Sequence, residues 1–243
     1  MSELYHLFYE KRYKKVYEAG ADYWGHTPDD EELSETLAKW VKQHDLKGKK
    51  VIEFFCGEGA SGVILSKLGC IYHGVDISPT ALKKAENSLK DYPNAKVMEI
   101  NVVSGKIGST YNAALDVMGF HMLVTDPDRK AYLRNAISCL ENKSPMLFFR
   151  QMCMEDSNDD FINSYDDWLT ISGGDYTTPR KMNFIKDGEE IEVEIPYVTG
   201  RSKTETGYTQ ELLEAGFSID SVVQEPQSRK CPDSISIYAH KPE

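Results

Sequence analysis

A glycine-rich turn follows the first strongly apolar run of the chain, and its residue types suit ligand binding. Residues 51–62 read VIEFFCGEGASG, and their glycines satisfy the G-x-G-x-x-G spacing. Glycine tolerates positive φ and lets the backbone approach a ligand closely. Glu53 lies inside the apolar run, and Asp76 ends the next one. A carboxylate can accept hydrogen bonds from both hydroxyls of a ribose. These residues together predict a site for a nucleoside-containing ligand.

The spacing of the glycines also fits a dinucleotide-binding turn. A chain of 243 residues is too short for a second catalytic domain of normal size. A single-domain short-chain dehydrogenase would need a Tyr-x-x-x-Lys pair after the fourth strand. The pair that the chain offers, Tyr92 and Lys96, stands before the third strand. A nicotinamide-dependent oxidoreductase is therefore the least favoured class.

The segment VIEFFCGEG resembles motif I of class I S-adenosylmethionine-dependent methyltransferases, which often reads V-L-D-x-G-C-G-x-G. Glu53 aligns with the acid of the motif, and Gly57 and Gly59 align with its last two glycines. Phe55 stands where the family has its first glycine, so its side chain either turns into the core or reshapes the pocket. The resemblance continues through GVDIS, INVV and LDVMGFHML, and it covers roughly residues 47 to 150 and 206 to 240.

This resemblance implies S-adenosyl-L-methionine as the cofactor, a ligand with an ammonium group, a sulfonium and a ribose but no phosphate. Asp76 is expected to bind the ribose, and Glu53 suits the ammonium group. Asn101 stands where the family often has an acid, and its amide oxygen can accept a hydrogen bond from the adenine. The expected cofactor contacts are Glu53, Phe55, Gly57, Gly59, Asp76, Ile77, Asn101, Val102, Tyr23 and Trp24.

Methyl transfer is an in-line displacement that demands alignment and exclusion of water, and its need for a base depends on the acceptor. The resemblance places the acceptor at the carboxyl ends of the fourth and fifth strands. His121 can take a proton near neutral pH or simply pack, and Asp116 lies near the sulfonium or is structural. We expect catalytic roles for His121 and Asp116, and acceptor contacts from Arg150, Tyr9, Tyr13 and Tyr197; no metal ligands are expected.

Strand-like and helix-like segments alternate from residue 50 onward, which predicts a doubly wound α/β fold with parallel strands. The family resemblance implies a Rossmann-like seven-stranded sheet with an antiparallel C-terminal hairpin. Asp187-Gly188 between alternating runs predicts a further β-hairpin. Thr27 with Pro28 predicts a helix start. The expected organisation is an N-terminal helical lid over residues 1–46 and a methyltransferase domain over residues 47–243, with an insertion at about 151–205.

Composition narrows the classes of partner. A net charge of −11 argues against nucleic acid, because phosphate contacts need a basic surface. The chain lacks a run of 18 apolar residues and has five scattered cysteines, which favours a cytoplasmic protein without membrane attachment. We expect a small-molecule methyl acceptor and a monomer or homodimer. A protein methyltransferase and a non-catalytic cofactor-binding or regulatory module remain alternatives.

Overall fold

The computed structural model describes residues 5–157, 159–173, 178–196, 200–226 and 233–243. The helices are α1 (Phe8–Glu18), α2 (Glu31–Gln43), α3 (Ala60–Lys67), α4 (Pro79–Leu89), α5 (Asp126–Ser138), α6 (Tyr165–Ser172) and α7 (Glu205–Glu214). The strands are β1 (Lys50–Phe54), β2 (Ile71–Asp76), β3 (Ala95–Glu99), β4 (Ala113–Val117), β5 (Pro145–Met152), β6 (Arg180–Lys186), β7 (Glu189–Ile195), β8 (Ser218–Glu225) and β9 (Ser234–His240).

Seven strands form one sheet in the order β3-β2-β1-β4-β5-β9-β8. The first five are parallel, whereas β9 pairs antiparallel with both β5 and β8. The predicted doubly wound sheet and its antiparallel C-terminal pair are thereby confirmed. The strand order reverses between β1 and β4, and ligands of open α/β sheets bind outside the carboxyl ends of the strands at such a point.

Apolar side chains fill both faces of the sheet because its central strands are covered by helices on each side. Ile52 and Phe54 belong to the core beneath α5 and α7, and Val51 belongs to the core beneath α2 and α3. Successive residues of a strand point to opposite faces. The unbroken apolar run of β1 is therefore the sequence of a strand that is buried on both sides.

The start of α2 differs from the prediction at Thr27. The N-cap is Asp30, whose side chain accepts a hydrogen bond from the backbone N–H of Leu33. Thr27 and Pro28 lie in the turn that precedes the helix. A carboxylate in this position satisfies one of the unpaired N–H groups of the first turn and complements the helix dipole. Asp30 therefore caps the helix, and Thr27 does not.

The insertion contains the predicted hairpin and one helix that the sequence did not reveal. Strands β6 and β7 pair antiparallel around Asp187 and Gly188, which both have positive φ. Phe184 of β6 packs with Val16 of α1, so the hairpin and the N-terminal helix share a small core. Helix α6 begins with a capping box at Ser164. Within the described ranges, no helix is both long enough and apolar enough to cross a membrane.

Candidate functional site

The glycine turn lies at the carboxyl end of β1 and is bound to the end of β2. Gly57 and Gly59 have φ of +48° and +79°, so both adopt the left-handed backbone that glycine favours. A Cβ atom at Gly59 would lie 3.0 Å from the Cβ of Ala85 in α4. The backbone N–H of Gly57 donates to Oδ2 of Asp76 over 2.9 Å. Both glycines are therefore required by backbone conformation, and the close packing of α4 adds to the requirement at Gly59.

Asp76 is buried directly beside the turn. Its second oxygen, Oδ1, accepts a hydrogen bond from the backbone N–H of Ser78 over 2.9 Å. Burial raises the pKa of the Asp76 carboxyl, while the backbone N–H groups oppose this shift. An ionised carboxylate has about four acceptor positions, so capacity remains for a ligand diol. Ile77 follows Asp76 and is half-buried.

Glu53 points beneath the turn. It is only 2% exposed, and its carboxyl accepts hydrogen bonds from the hydroxyls of Tyr72 and Ser61. Burial raises the pKa of Glu53 to about 8. At neutral pH, this carboxyl is therefore largely protonated in the structure, and a cationic ligand beside it would favour its ionised form.

Phe55 lies between the glycine turn and the turn after β4. Its φ is +55°, and its ring meets the ring of Tyr132 edge-on with centroids 5.0 Å apart. A Cβ at Gly119 would lie 2.3 to 2.7 Å from atoms of the Phe55 side chain. The ring is thus directed at α5 and Gly119, away from the backbone of Gly57.

The residues after β3 include the two expected contacts of the adenine, Asn101 and Val102. Oδ1 of Asn101 accepts a hydrogen bond from the backbone N–H of Val103 over 2.9 Å, which forms an Asx turn. Val102 is buried in the core, and its carbonyl accepts a hydrogen bond from Nδ2 of Asn135 over 2.8 Å. Asn101 is therefore held in a fixed turn beside α5.

A buried polar network occupies the ends of β4 and β5. Asp116 accepts hydrogen bonds from the hydroxyl of Tyr132 at 2.6 Å, the backbone N–H of Gly119 at 2.7 Å and Nε2 of Gln151 at 3.0 Å. Burial raises the pKa of Asp116 to about 6, and these donors oppose the shift. Oε1 of Gln151 accepts a hydrogen bond from the backbone N–H of His121. Asp116 and His121 are thereby joined through one glutamine.

His121 is buried within this network. Burial lowers its pKa to about 4, so the imidazole is neutral at pH 7. Its Nδ1 lies 3.4 Å from the backbone N–H of Met152 and 3.3 Å from Oε1 of Gln151. The backbone N–H of Arg201 donates to the His121 carbonyl over 2.8 Å, so the end of the insertion lies against this histidine.

Arg150 is directed away from this network. It occupies a bulge of β5 with φ of +51°, where the pairing with β9 shifts its register. Its guanidinium forms an ion pair with Glu32 of α2 and donates to the carbonyl of Pro226 and to Oγ of Ser234. The bulge sends Arg150 to α2 and Gln151 to Asp116. The Arg150 guanidinium is therefore held by α2, by the residue after β8 and by the first residue of β9.

Aromatic side chains of the N-terminal segment cover the glycine turn. A Cβ at Gly57 would lie 2.7 Å from the hydroxyl of Tyr13. Trp24 packs against Tyr13 edge-on at 4.6 Å and stacks with Tyr9 at 6.0 Å. The Nζ of Lys84 in α4 lies 4.6 Å from the Tyr23 ring centroid. Tyr197 lies outside the described residues.

Glu58 is a residue of this site that the sequence reasoning missed. It is 5% exposed and accepts hydrogen bonds from the hydroxyl of Tyr17 and from the backbone N–H groups of Trp24 and Gly25. Glu10 of α1 similarly binds the side chains of Ser78 and Thr80 at the start of α4. Glu58 stands at a variable position of the glycine motif. The one feature of the sequence that indicates it is a charged residue between two glycines.

Comparisons with known proteins agree with this architecture. Residues 51–143 match the family model described as a methyltransferase domain. A stretch of 113 residues, 46% of the chain, is 27% identical to a tRNA (uracil(54)-C(5))-methyltransferase of Pyrococcus furiosus, and spans only 24% of that relative.

Two solved structures share the fold at low sequence identity. One is an S-adenosylmethionine-dependent methyltransferase from Clostridium acetobutylicum, with a TM-score of 0.62 and 14% identity over 95% of this chain and 96% of that one. The other is a 1,6-didemethyltoxoflavin-N1-methyltransferase from Burkholderia thailandensis, with bound 1,6-didemethyltoxoflavin and S-adenosylhomocysteine. Its TM-score is 0.68, with 14% identity over 98% of this chain and 89% of that one. Residues 51–143 thus match a methyltransferase domain, and the chain has the fold of these two methyltransferases.

Proposed function

We propose that this chain transfers a methyl group from S-adenosylmethionine to a small-molecule acceptor held beneath the N-terminal segment. The observation that carries this proposal is the attachment of that segment to the glycine turn. Glu58 binds the backbone at Trp24 and Gly25, and the Tyr13 hydroxyl lies over Gly57. A covered site excludes water from a displacement reaction and suits a small acceptor, because a macromolecule needs an open groove.

The residues at the glycine turn fit the cofactor. A side chain at Gly57 would fill the space above the turn, and Phe55 is turned toward Tyr132 and Gly119 instead of into that space. In this proposal, Asp76 accepts hydrogen bonds from the ribose hydroxyls, and the backbone at Gly57 lies against the amino-acid end. The bound cofactor would supply an electrophilic methyl group.

The other cofactor contacts remain part of the proposal. The turn at Asn101 and Val102 would hold the adenine, with Ile77 packed beside it. Glu53 would balance the positive charge of the cofactor from beneath the turn. Because the Tyr13 hydroxyl lies over Gly57, α1 must shift when a ligand binds, as lids of enclosed active sites do.

On the acceptor side, Tyr9 and Tyr13 would form the aromatic wall. His121 and Asp116 would define the polar floor at the ends of β4 and β5, where both are buried. Arg150 forms an ion pair with Glu32, so it would affect acceptor binding only indirectly.

A nucleic-acid acceptor is disfavoured, although the Pyrococcus furiosus relative is named for a tRNA substrate. The matched stretch is a quarter of that relative, and the net charge of this chain is −11. Backbone phosphates would be repelled unless a local basic surface compensated.

Methyl transfer to a small molecule is tested with S-adenosylmethionine that carries a tritiated methyl group. The protein is incubated separately with a pool of small metabolites, with bulk tRNA and with bulk protein. We expect label to enter the small-metabolite pool with the wild-type protein and not with Asp76→Ala. Label in tRNA or protein alone would overturn the small-molecule assignment. Cofactor binding without label in any pool would favour the non-catalytic module.

A further inference from the structure

A histidine that the family motif does not include lies between the glycine turn and β5. This residue is His26, and the backbone N–H of the preceding Gly25 donates a hydrogen bond to Glu58 of the glycine turn over 2.9 Å. The ring centroid of His26 itself lies 6.2 Å from that of Phe149 near the end of β5. Because β4 lies between β1 and β5 in the sheet, the chain at His26 bridges the strand ends beside the reversal point. This is the crevice in which open α/β sheets bind their ligands.

The orientation of the His26 ring is fixed by Asp30. Nδ1 of His26 lies 2.7 Å from Oδ2 of Asp30. The other oxygen of Asp30 accepts a hydrogen bond from the backbone N–H of Leu33, which anchors the carboxylate as the N-cap of α2. An ionised carboxylate can only accept hydrogen bonds. In the neutral imidazole, Nδ1 therefore carries the proton, and Nε2 presents a lone pair.

That lone pair is unpaired within the part of the chain that the structure describes. Nε2 of His26 is buried, and among the described residues no donor lies within hydrogen-bonding distance of it. Buried polar atoms nearly always have a partner, so an exception calls for an explanation such as a ligand. The pairing of a carboxylate with a histidine whose other nitrogen is free is the arrangement of a general base.

We propose that Nε2 of His26 is the general base of the methyl transfer, and that Asp30 is its positioning residue. This inference rests on the proposed function and narrows the acceptor to one that reacts through an N–H or O–H group. As the acceptor nitrogen or oxygen bonds to the methyl carbon, the carbon–sulfur bond breaks and its electron pair stays on sulfur. His26 takes the acceptor proton on Nε2 and later releases it to water.

Several charged groups surround this imidazole. Asp30 contacts it directly, and Glu58 lies against the neighbouring Gly25. The guanidinium of Arg150, paired with Glu32, lies 5.7 Å from the Phe149 ring that also packs near His26.

The tautomer of His26 is measured by long-range ¹H–¹⁵N NMR at about pH 8, where histidine is usually neutral. We expect protonated Nδ1 and unprotonated Nε2, with this preference weakened in Asp30→Asn. Asparagine keeps the N-cap of α2, so this variant alters the tautomer without removing the cap. An Nε2–H tautomer in the wild-type protein would overturn the proposal, whether or not an acceptor is known.

Turnover is then measured with phenol, primary-amine, carboxylate and thiol probes and labelled cofactor. For a hydroxyl or amine probe, we expect His26→Gln to lower kcat by about 100-fold. Its affinity for S-adenosylhomocysteine should stay within about threefold, and His44→Gln, a matched change at the far end of α2, should have no effect. Unchanged kcat in His26→Gln, or turnover of carboxylate probes alone, would overturn the proposal. Failure of the wild-type protein to bind S-adenosylhomocysteine would instead overturn the proposed function.

Discussion

The carboxylate of Glu58 accepts two hydrogen bonds from the backbone N–H of Trp24, at 3.0 and 3.1 Å. The two residues are 34 positions apart, and they join the glycine turn to the segment that links α1 and α2. The N–H of Gly25 and the hydroxyl of Tyr17 complete the set of donors. A buried carboxylate is stabilised by such donors, so the N-terminal segment and the glycine turn hold each other in place.

Removal of this carboxylate should release the N-terminal segment. In Glu58→Ala, the amide hydrogens of Trp24 and Gly25 lose their acceptor, and we expect their exchange with deuterium to accelerate at least about tenfold. Glu86→Ala on the exposed side of α4 provides the control. Unaltered exchange at Trp24 would contradict the anchoring role of Glu58.

Contact between Tyr13 and Gly57 can be tested by a double-mutant cycle. Gly57→Ala introduces a Cβ that would lie 2.7 Å from the Tyr13 hydroxyl, at a residue with positive φ. Tyr13→Phe removes that hydroxyl. We expect the two changes to couple favourably by about 1 kcal/mol in the free energy of unfolding measured with urea. Additive effects would mean that α1 does not cover the turn in solution.

The positive φ of Phe55 predicts that a glycine variant is more stable than an alanine variant at this position. Both Phe55→Ala and Phe55→Gly lose the contact with Tyr132, and Phe55→Ala should lower the free energy of unfolding by about 3 kcal/mol. Because φ is +55° here, glycine should be about 1 kcal/mol more stable than alanine. Urea denaturation measures the order.

The affinity for S-adenosylhomocysteine tests whether the ring of Phe55 lies in the cofactor pocket. With the ring turned away from Gly57, Phe55→Gly should leave the affinity within about threefold of wild type. A much larger change in affinity would place the Phe55 ring in the pocket.

The raised pKa of Glu53 predicts a loss of stability as pH rises. Its pKa is about 8 in the native protein and 4.5 as its ordinary value, so between these values the native state binds more protons than the unfolded state. The free energy of unfolding should therefore fall with pH, by up to about 1.4 kcal/mol per unit. Between pH 6.5 and 8, the wild-type protein should lose stability relative to Glu53→Gln. A constant difference would show that Glu53 ionises normally.

The sheet and the hairpins could be predicted because their signals are local. The apolar run of β1 and the Asp187-Gly188 turn each specify a nearby backbone conformation. The register shift at Arg150 could not be predicted, since it depends on pairing with β9 far along the chain.

The site could be predicted only where its residues belong to a motif. Asp76 and the glycines belong to one β–α–β unit formed by β1, α3 and β2, so their spacing along the chain makes them candidates. Glu58 and His26 owe their places to contacts between the N-terminal segment and the sheet, which leave no periodic pattern. Thr27 and Pro28 have the residue types of a helix start, but the N-cap of α2 is Asp30.

Calorimetric titration with S-adenosylhomocysteine tests the central claim most directly. We expect the wild-type protein to bind with a Kd of about 1 μM, and Asp76→Ala to bind at least about tenfold more weakly, a loss of about 1.4 kcal/mol. Asp91→Ala, in the exposed turn after α4, should bind like the wild type. Absence of binding to the wild-type protein, or equal affinity in Asp76→Ala, would contradict the assignment of the glycine turn and Asp76 as the cofactor site.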